Sequence, residues 1–209
     1  MLSAIEALNR LREGNQRFAS DSRISEALTN EDRRAQVVKV QEPFAIILGC
    51  SDSRVPGEII FDQGLGDLFV IRVAGNIVAP SQIGSVEFAA DRFGTRLVVV
   101  LGHSNCGAIK ATLEELSRSS DAQSHHVQSI VDRIRPSVEP LLSVGGGRLS
   151  EDELTDLAVR ANIRASANQL RHGSQMLEQL IAADGLLVVG AEYSLESGLV
   201  DFFDGVPRR

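Results

Sequence analysis

Apolar residues along this chain gather into four short unbroken blocks, at 44–48, 68–71, 97–101 and 186–189. Three of the blocks end on a glycine: Gly49, Gly102 and Gly190. Runs of four to eight apolar residues without polar alternation suit strands buried on both faces, as in a parallel sheet. Between the blocks the spacing changes to a helical period, over 85–93 before Gly94, over 108–116, and along a stretch from Glu151. Ser150 with Glu153 three residues later forms a capping box at the start of that stretch. Ser3 and Glu6 form another, and Ile5, Leu8 and Leu11 follow at helical spacing, which predicts a first helix. A polar stretch at 19–30 leads to a second short helix over 31–40. This order predicts an α/β fold, with a mostly parallel central sheet flanked by helices and right-handed crossovers. Near the end, Glu196-Ser197-Gly198 is a turn signal between 193–195 and 199–203, which predicts a C-terminal strand or hairpin.

The expected organisation is an N-terminal helical arm, 1–40, joined to an α/β body, 41–209, in a single domain overall. Two packings of the arm stay open: against another subunit, or folded back on its own domain. The polar segment 118–124 and the glycine-containing segment 144–148 read as surface loops around an insertion of one or two helices.

Composition narrows the function classes. In 209 residues, 21 Lys and Arg face 28 Asp and Glu, a net charge of −7. Phosphate neutralisation needs clustered cations, so general nucleic-acid binding is not expected. No apolar run approaches the roughly 18–20 residues of a membrane span. The first twelve residues carry Glu6, Arg10 and Arg12 and no continuous apolar run, so no secretory signal is expected and a cytoplasmic address is. The eight Phe, one Tyr and no Trp leave an aliphatic core. The two cysteines, Cys50 and Cys106, are then expected as thiols, thiolates or metal ligands rather than a disulfide.

Both cysteines fall where an open α/β sheet places its ligands, just past the carboxyl ends of strands. Gly49-Cys50-Ser51-Asp52-Ser53-Arg54-Val55 follows the first block, and Gly102-His103-Ser104-Asn105-Cys106-Gly107-Ala108 follows the third. Cys50 and His103 are 53 positions apart, yet such loops converge in space. Two thiolates and an imidazole form a zinc set with one position left open. The plainer alternative is two buried free cysteines and a satisfied core histidine. Asp52 and Arg54, two and four residues beyond Cys50, favour chemistry, because a carboxylate beside a guanidinium stays ionised and oriented.

Cys-Ser-Asp-Ser-Arg-Val followed by His-Ser-Asn-Cys-Gly resembles the two signature segments of the β-class carbonic anhydrases. The likeness runs from Gln41 to about Leu116, through Asp67-Leu68-Phe69-Val70-Ile71-Arg72 and Ala74-Gly75-Asn76, and returns in the terminal strand and hairpin. It implies that Cys50, His103 and Cys106 bind zinc and that Asp52 and Arg54 form the family's carboxylate–guanidinium dyad. It implies that Gln41 and Phe69 line the substrate pocket across a subunit interface, as in the plant-like branch, and that Gly107 lends its backbone N–H near the bound anion. The family dimerises, often with dimers pairing further. A subset of the family holds a regulatory bicarbonate with a Trp, an Arg and a Tyr. Here Ile47 stands at the Trp position while Arg72 and Tyr193 match the others, which places the chain in the branch not regulated by bicarbonate. Phe88 stands where many plant-like relatives carry a pocket Tyr.

The activity implied by the resemblance is reversible hydration of CO2 to bicarbonate and a proton by a zinc-bound hydroxide, with Asp52 orienting it. In a closed state, Asp52 released by Arg54 becomes the fourth ligand. Two rivals accompany this reading: a relative acting on another heterocumulene such as carbon disulfide, and a non-catalytic zinc or redox-sensing module. His125, His126 and His172 are read as solvated or uncommitted, and no proton shuttle is assigned.

Overall fold

The computed structural model describes residues 2–24, 29–117, 124–145 and 149–207. Most of the two expected loops, at 118–123 and 146–148, lies outside the described residues, as does 25–28 of the polar stretch.

Five strands form one sheet: β1 (Ala45–Gly49), β2 (Leu68–Arg72), β3 (Leu97–His103), β4 (Leu187–Tyr193) and β5 (Val200–Asp204), in the order β2-β1-β3-β4-β5. The first four are parallel, and β5 returns antiparallel to β4 as the expected hairpin. Every residue of β1 and β3 is buried, which is why these blocks show no alternation. Successive side chains still point to opposite faces. Ile46, Leu48, Val98, Val100 and Val188 enter one core, while Ile47, Val99, Leu101 and Val189 enter another.

Eight helices are described: α1 (Ala4–Ala19), α2 (Glu31–Val37), α3 (Gly57–Ile60), α4 (Pro80–Arg92), α5 (Gly107–Ser117), α6 (His125–Gly145), α7 (Glu151–His172) and α8 (Gln175–Ala183). The first core is closed by Val86 of α4, Ile109 of α5, Ile134 of α6, Ile163 of α7 and Leu177 of α8. The second is closed by Ala7, Leu8 and Leu11 of α1 with Ile60 of α3. The arm therefore folds back on its own sheet. Asn15 anchors it, donating to the carbonyls of Ile60 (3.2 Å) and Gly198 (2.9 Å) and accepting from Val200 N–H (2.8 Å). Its buried stripe is Ala4, Ala7, Leu8 and Leu11, and Ile5, expected on that stripe, points outward.

Other boundaries move for local reasons. Helix α2 stops at Val37, before a segment that runs into Pro43, and Val38 and Val40 are exposed. Helix α4 starts five residues earlier than its apolar spacing suggests, because Pro80 fits the first turn of a helix. The stretch from Glu151 divides after His172, and Ser174 caps the new helix by accepting from Leu177 N–H (3.2 Å).

One side chain sets the height of α7 over the sheet. A Cβ on Gly102 would lie 2.5 Å from Ile163 Cδ1, and one on Gly190 would lie 2.8 Å from Ile163 Cγ2. Ile163 thus sits in a notch made by glycines on adjacent strands. We expect Ile163→Ala to lower the unfolding free energy by about 2–5 kcal/mol and Gly190→Ala by about 1–3 kcal/mol in urea titrations. The double variant should lose less than the sum, because the shortened side chain makes room for the new methyl. Strictly additive losses would show that Ile163 does not rest on this notch.

Candidate metal centre

Strands β1 and β3 are parallel neighbours in register, with Gly49 opposite Leu101. Strand order reverses beside them, so the loops after β1 and β3 open a crevice at a topological switch point. Cys50 directly follows β1, His103 is the last residue of β3, and Cys106 directly precedes α5. The structure brings these three together: their ligand atoms lie within 4.8 Å of one another, and all three residues are buried.

The donor set fits a metal ion. The sulfurs are 4.0 Å apart and unbonded. That is twice the roughly 2.0 Å of a disulfide and close to the ~3.8 Å edge of a tetrahedron with ~2.3 Å zinc–sulfur bonds. His103 Nδ1 lies 2.9 Å from the Ser104 carbonyl, so Nδ1 carries the proton and donates it there. This leaves Nε2 as the nitrogen available to a metal, buried and without a hydrogen-bond partner among the described residues. A buried ring nitrogen beside two sulfurs, without a well-formed hydrogen bond, is what a metal site requires.

Backbone dipoles prepare the sulfurs. The Cys106 thiol donates to Cys50, the His103 ring beside it adds to that, and so do the amides of Asp52 and Gly75, the latter at 3.4 Å. Together they hold Cys50 down at about 4 against the cost of burial. Cys106, facing that thiolate and buried, is pushed up, although the amides of Ala108 and Ile109 at the start of α5 oppose the shift.

Asp52 and Arg54 form a bidentate pair. Arg54 Nε donates to Oδ1 (2.9 Å), Nη2 to Oδ2 (2.7 Å), and the Arg54 backbone N–H also to Oδ1 (2.9 Å). These bonds hold the half-buried Asp52 carboxyl well below the usual carboxylate range. Its Oδ2 still lies 3.9 Å from His103 Nε2. From the end of β2, Arg72 donates through Nε to the Cys50 carbonyl (3.1 Å) and through Nη2 to the Asp52 carbonyl (2.6 Å). Spacing alone marks Arg72 only as the end of an apolar block, and the resemblance matches it to a regulatory arginine rather than to this clamp. Another polar chain leads outward: Arg54 Nη2 reaches the Asn105 carbonyl (3.5 Å), and Lys110 Nζ donates to Asn105 Oδ1 (2.9 Å).

The remaining candidates lie elsewhere or stay open. Gly107 begins α5, so its N–H has no partner within the helix, and the space beside its Cα is open. Gln41 lies outside this cluster, in a groove of about 1240 Å³ with Val38, Val40, Phe88 and Phe93. Phe69 on β2 packs its ring against Phe88 (6.2 Å) and Phe93 (6.0 Å), two residues of that groove's lining. Ile47 is sealed in the core, and Tyr193 packs against Phe18. His125 and His126 are exposed at the start of α6, and His172 is exposed at the end of α7. No helix among the described residues is long and apolar enough to cross a membrane.

Comparison with known proteins agrees with this geometry. The family model described as carbonic anhydrase matches residues 45–200. The carbonic anhydrase of Mycolicibacterium smegmatis is 38% identical over 197 residues, spanning 94% of this chain and 92% of that protein. Among solved structures, the β-carbonic anhydrase CcaA is 28% identical, covers 96% of this chain and 93% of its own, and superposes with a TM-score of 0.73. One of two tetrameric β-carbonic anhydrases of Sordaria macrospora, 24% identical, shares the fold over 83% of this chain and 87% of its own, with a TM-score of 0.73. A match over most of the chain, joined to a Cys-His-Cys cluster at the switch point of a parallel sheet, places this chain in the β-class carbonic anhydrase family.

Proposed function

We propose that the chain catalyses the reversible hydration of CO2 to bicarbonate and a proton, with zinc held by Cys50, His103 and Cys106. The observation that carries this reading is the buried cluster of three ligand atoms within 4.8 Å, with an ionised carboxylate at its edge. Zinc bound there supplies an acidified water near neutral pH.

The protein's own groups order the reaction. Ionised Asp52 can only accept hydrogen bonds. It orients a water in the site by taking a bond from one of its protons, which leaves a lone pair for CO2. Arg54 occupies both carboxylate oxygens and so keeps them from coordinating. With that clamp released, Oδ2, 3.9 Å from His103 Nε2, would be free to join Cys50, His103 and Cys106 in holding the metal, which would close the site. The Gly107 N–H, at the first residue of α5 and so without an intrahelical partner, would receive the product anion. With Ile47 buried and Arg72 committed to two carbonyls, regulation by bicarbonate is not part of this reading. Both cysteines are free, which suits a reducing compartment and supports a cytoplasmic address.

The active form is a homodimer or a pair of dimers. Among the described residues, edge strand β2 has no partner on its outer side, and the groove beside it exposes Val38, Val40, Leu65 and Phe88. A second copy seated there places Gln41 and Phe69 at the neighbouring substrate pocket. The tetrameric state of the Sordaria relative supports such assembly.

Stopped-flow CO2 hydration on metal-analysed protein tests the proposal. We expect one zinc per chain and a rate that rises between about pH 7 and about pH 8.5, because two thiolates neutralise the ion's charge and make the water less acidic than three imidazoles would. Turnover of carbon disulfide without CO2 hydration would reassign the substrate. Zinc lost on mild oxidation, with no hydration in the reduced form, would support the redox module. Cys50→Ser or Cys106→Ser should remove most of the zinc, while Asp52→Ala should keep it and lose activity by about 100-fold or more. Full zinc and full activity in all three would overturn the site. In analytical ultracentrifugation, wild type should sediment as a dimer or larger, and Val38→Asp with Phe88→Asp should shift it toward monomer. A wild-type monomer with full activity would refute the shared pocket.

A further inference from the structure

Helix α7 carries two buried polar residues on its apolar face, Asn162 and Ser166, one turn apart and 2% and 4% exposed. Their neighbours on that face are Ala158, Val159, Ile163, Ala167 and Leu170. Polar groups in such surroundings destabilise a fold unless they are paired. Both are paired with one short turn. Asn162 Nδ2 donates to the Gly75 carbonyl (2.8 Å), and Ser166 Oγ donates to the Asn76 carbonyl (3.0 Å).

That turn is unusual in its backbone. Gly75 has φ +70° and Asn76 has φ +43°, two consecutive left-handed residues. A Cβ on Gly75 would lie 2.9 Å from Ile134 Cδ1 and 3.2 Å from Ala108 Cβ, so both conformation and space require glycine. The consequence is at the other end of the same residue, where Gly75 N–H, in the preceding peptide unit, points at Cys50 Sγ, 3.4 Å away. Ile163, wedged over Gly102 and Gly190, fixes the height from which Asn162 and Ser166 reach the turn.

We infer that Asn162 and Ser166 are positioning residues for metal binding: by holding the two carbonyls of the left-handed turn, they keep Gly75 N–H on the Cys50 sulfur. The inference rests on the proposal that Cys50 is a zinc ligand. Among the described residues, the hydrogen bonds of Asn162 and Ser166 go to the turn and not to the sulfurs or the imidazole. They act through the backbone of Gly75, and the bond they hold both orients the sulfur and draws off part of its negative charge. Partners of this kind typically set metal affinity by about 10–100-fold.

The test uses the full chain as wild type, Asn162→Ala and Ser166→Ala. Three quantities are measured: zinc affinity by chelator competition, the thiolate-to-metal charge-transfer band of the Co(II)-substituted protein, and the melting temperature of the metal-free protein. Each variant should bind zinc about 10–100-fold more weakly. Its charge-transfer band should move to longer wavelength, because a thiolate that has lost an N–H donor gives up an electron more easily. The double variant should lose less than the product of the single effects, since both residues act on one turn. Unchanged affinity and an unmoved band in Ser166→Ala, with only the melting temperature lowered, would reduce the pair to a structural role and overturn the inference. Ser166→Ala removes a single hydroxyl and decides the question even if Asn162→Ala does not fold. Failure of the wild type to bind either metal would instead overturn the zinc reading, and the inference with it.

Discussion

Parallel pairing of β1 with β3 is the constraint on which the site depends. The two strands are separated in sequence by α3, β2 and α4, and only the crossover between them brings the end of β1 level with the end of β3. Cys50 is one residue past one strand end, His103 is the other strand end, and Cys106 follows within one turn. A shift of one residue in this register would turn His103 to the opposite face of the sheet. The unbroken aliphatic character of β1 and β3 therefore does more than fill the core. It fixes the level at which two loops, 53 positions apart, meet.

Bringing two sulfurs and an imidazole into a dry crevice is electrostatically costly, and the surrounding backbone offsets that cost. Amides of Asp52 and Gly75 serve Cys50, while amides of Ala108 and Ile109 at a helix start serve Cys106. The Ser104 carbonyl fixes the histidine tautomer. Arg72 holds the two carbonyls of the Cys50 loop, and Arg54 holds the carboxylate that this loop presents. Apart from the two arginines, these partners are main-chain groups, whose positions follow from turns and helix ends rather than from side-chain identity. Such an arrangement orders the donor atoms before any ion is bound.

Much of the fold was legible because burial on both faces removes alternation, and that absence is itself a pattern. The four blocks became the parallel strands, and both capping boxes stand at the starts of α1 and α7. Boundaries set by single residues were less legible. Pro80 extended α4 backward, and Ser174 split one expected helical stretch into two. On α1, alanines took buried positions that hydrophobicity alone would have given to Ile5, because the helix lies close to the sheet and small side chains permit that approach. Gln41 could be noticed by resemblance, but its place in a groove beside the sheet edge could not be read from spacing.

By itself the sequence determined the sheet's strands, the donor types and their placement after strand ends, since each is a local property of short segments. Tertiary structure alone decided which polar groups hold those donors. Asn162 and Ser166 look like ordinary polar positions on a long helix, and Arg72 looks like the solvated end of a strand. Their partners are backbone atoms more than 80 residues away in the case of α7 and about 20 in the case of Arg72. Backbone carbonyls and amides are identical at every position of a chain, so no residue pattern marks which of them will be used. That choice is made when packing sets the helix height over Gly102 and Gly190 and brings the left-handed turn at Gly75 against the Cys50 sulfur.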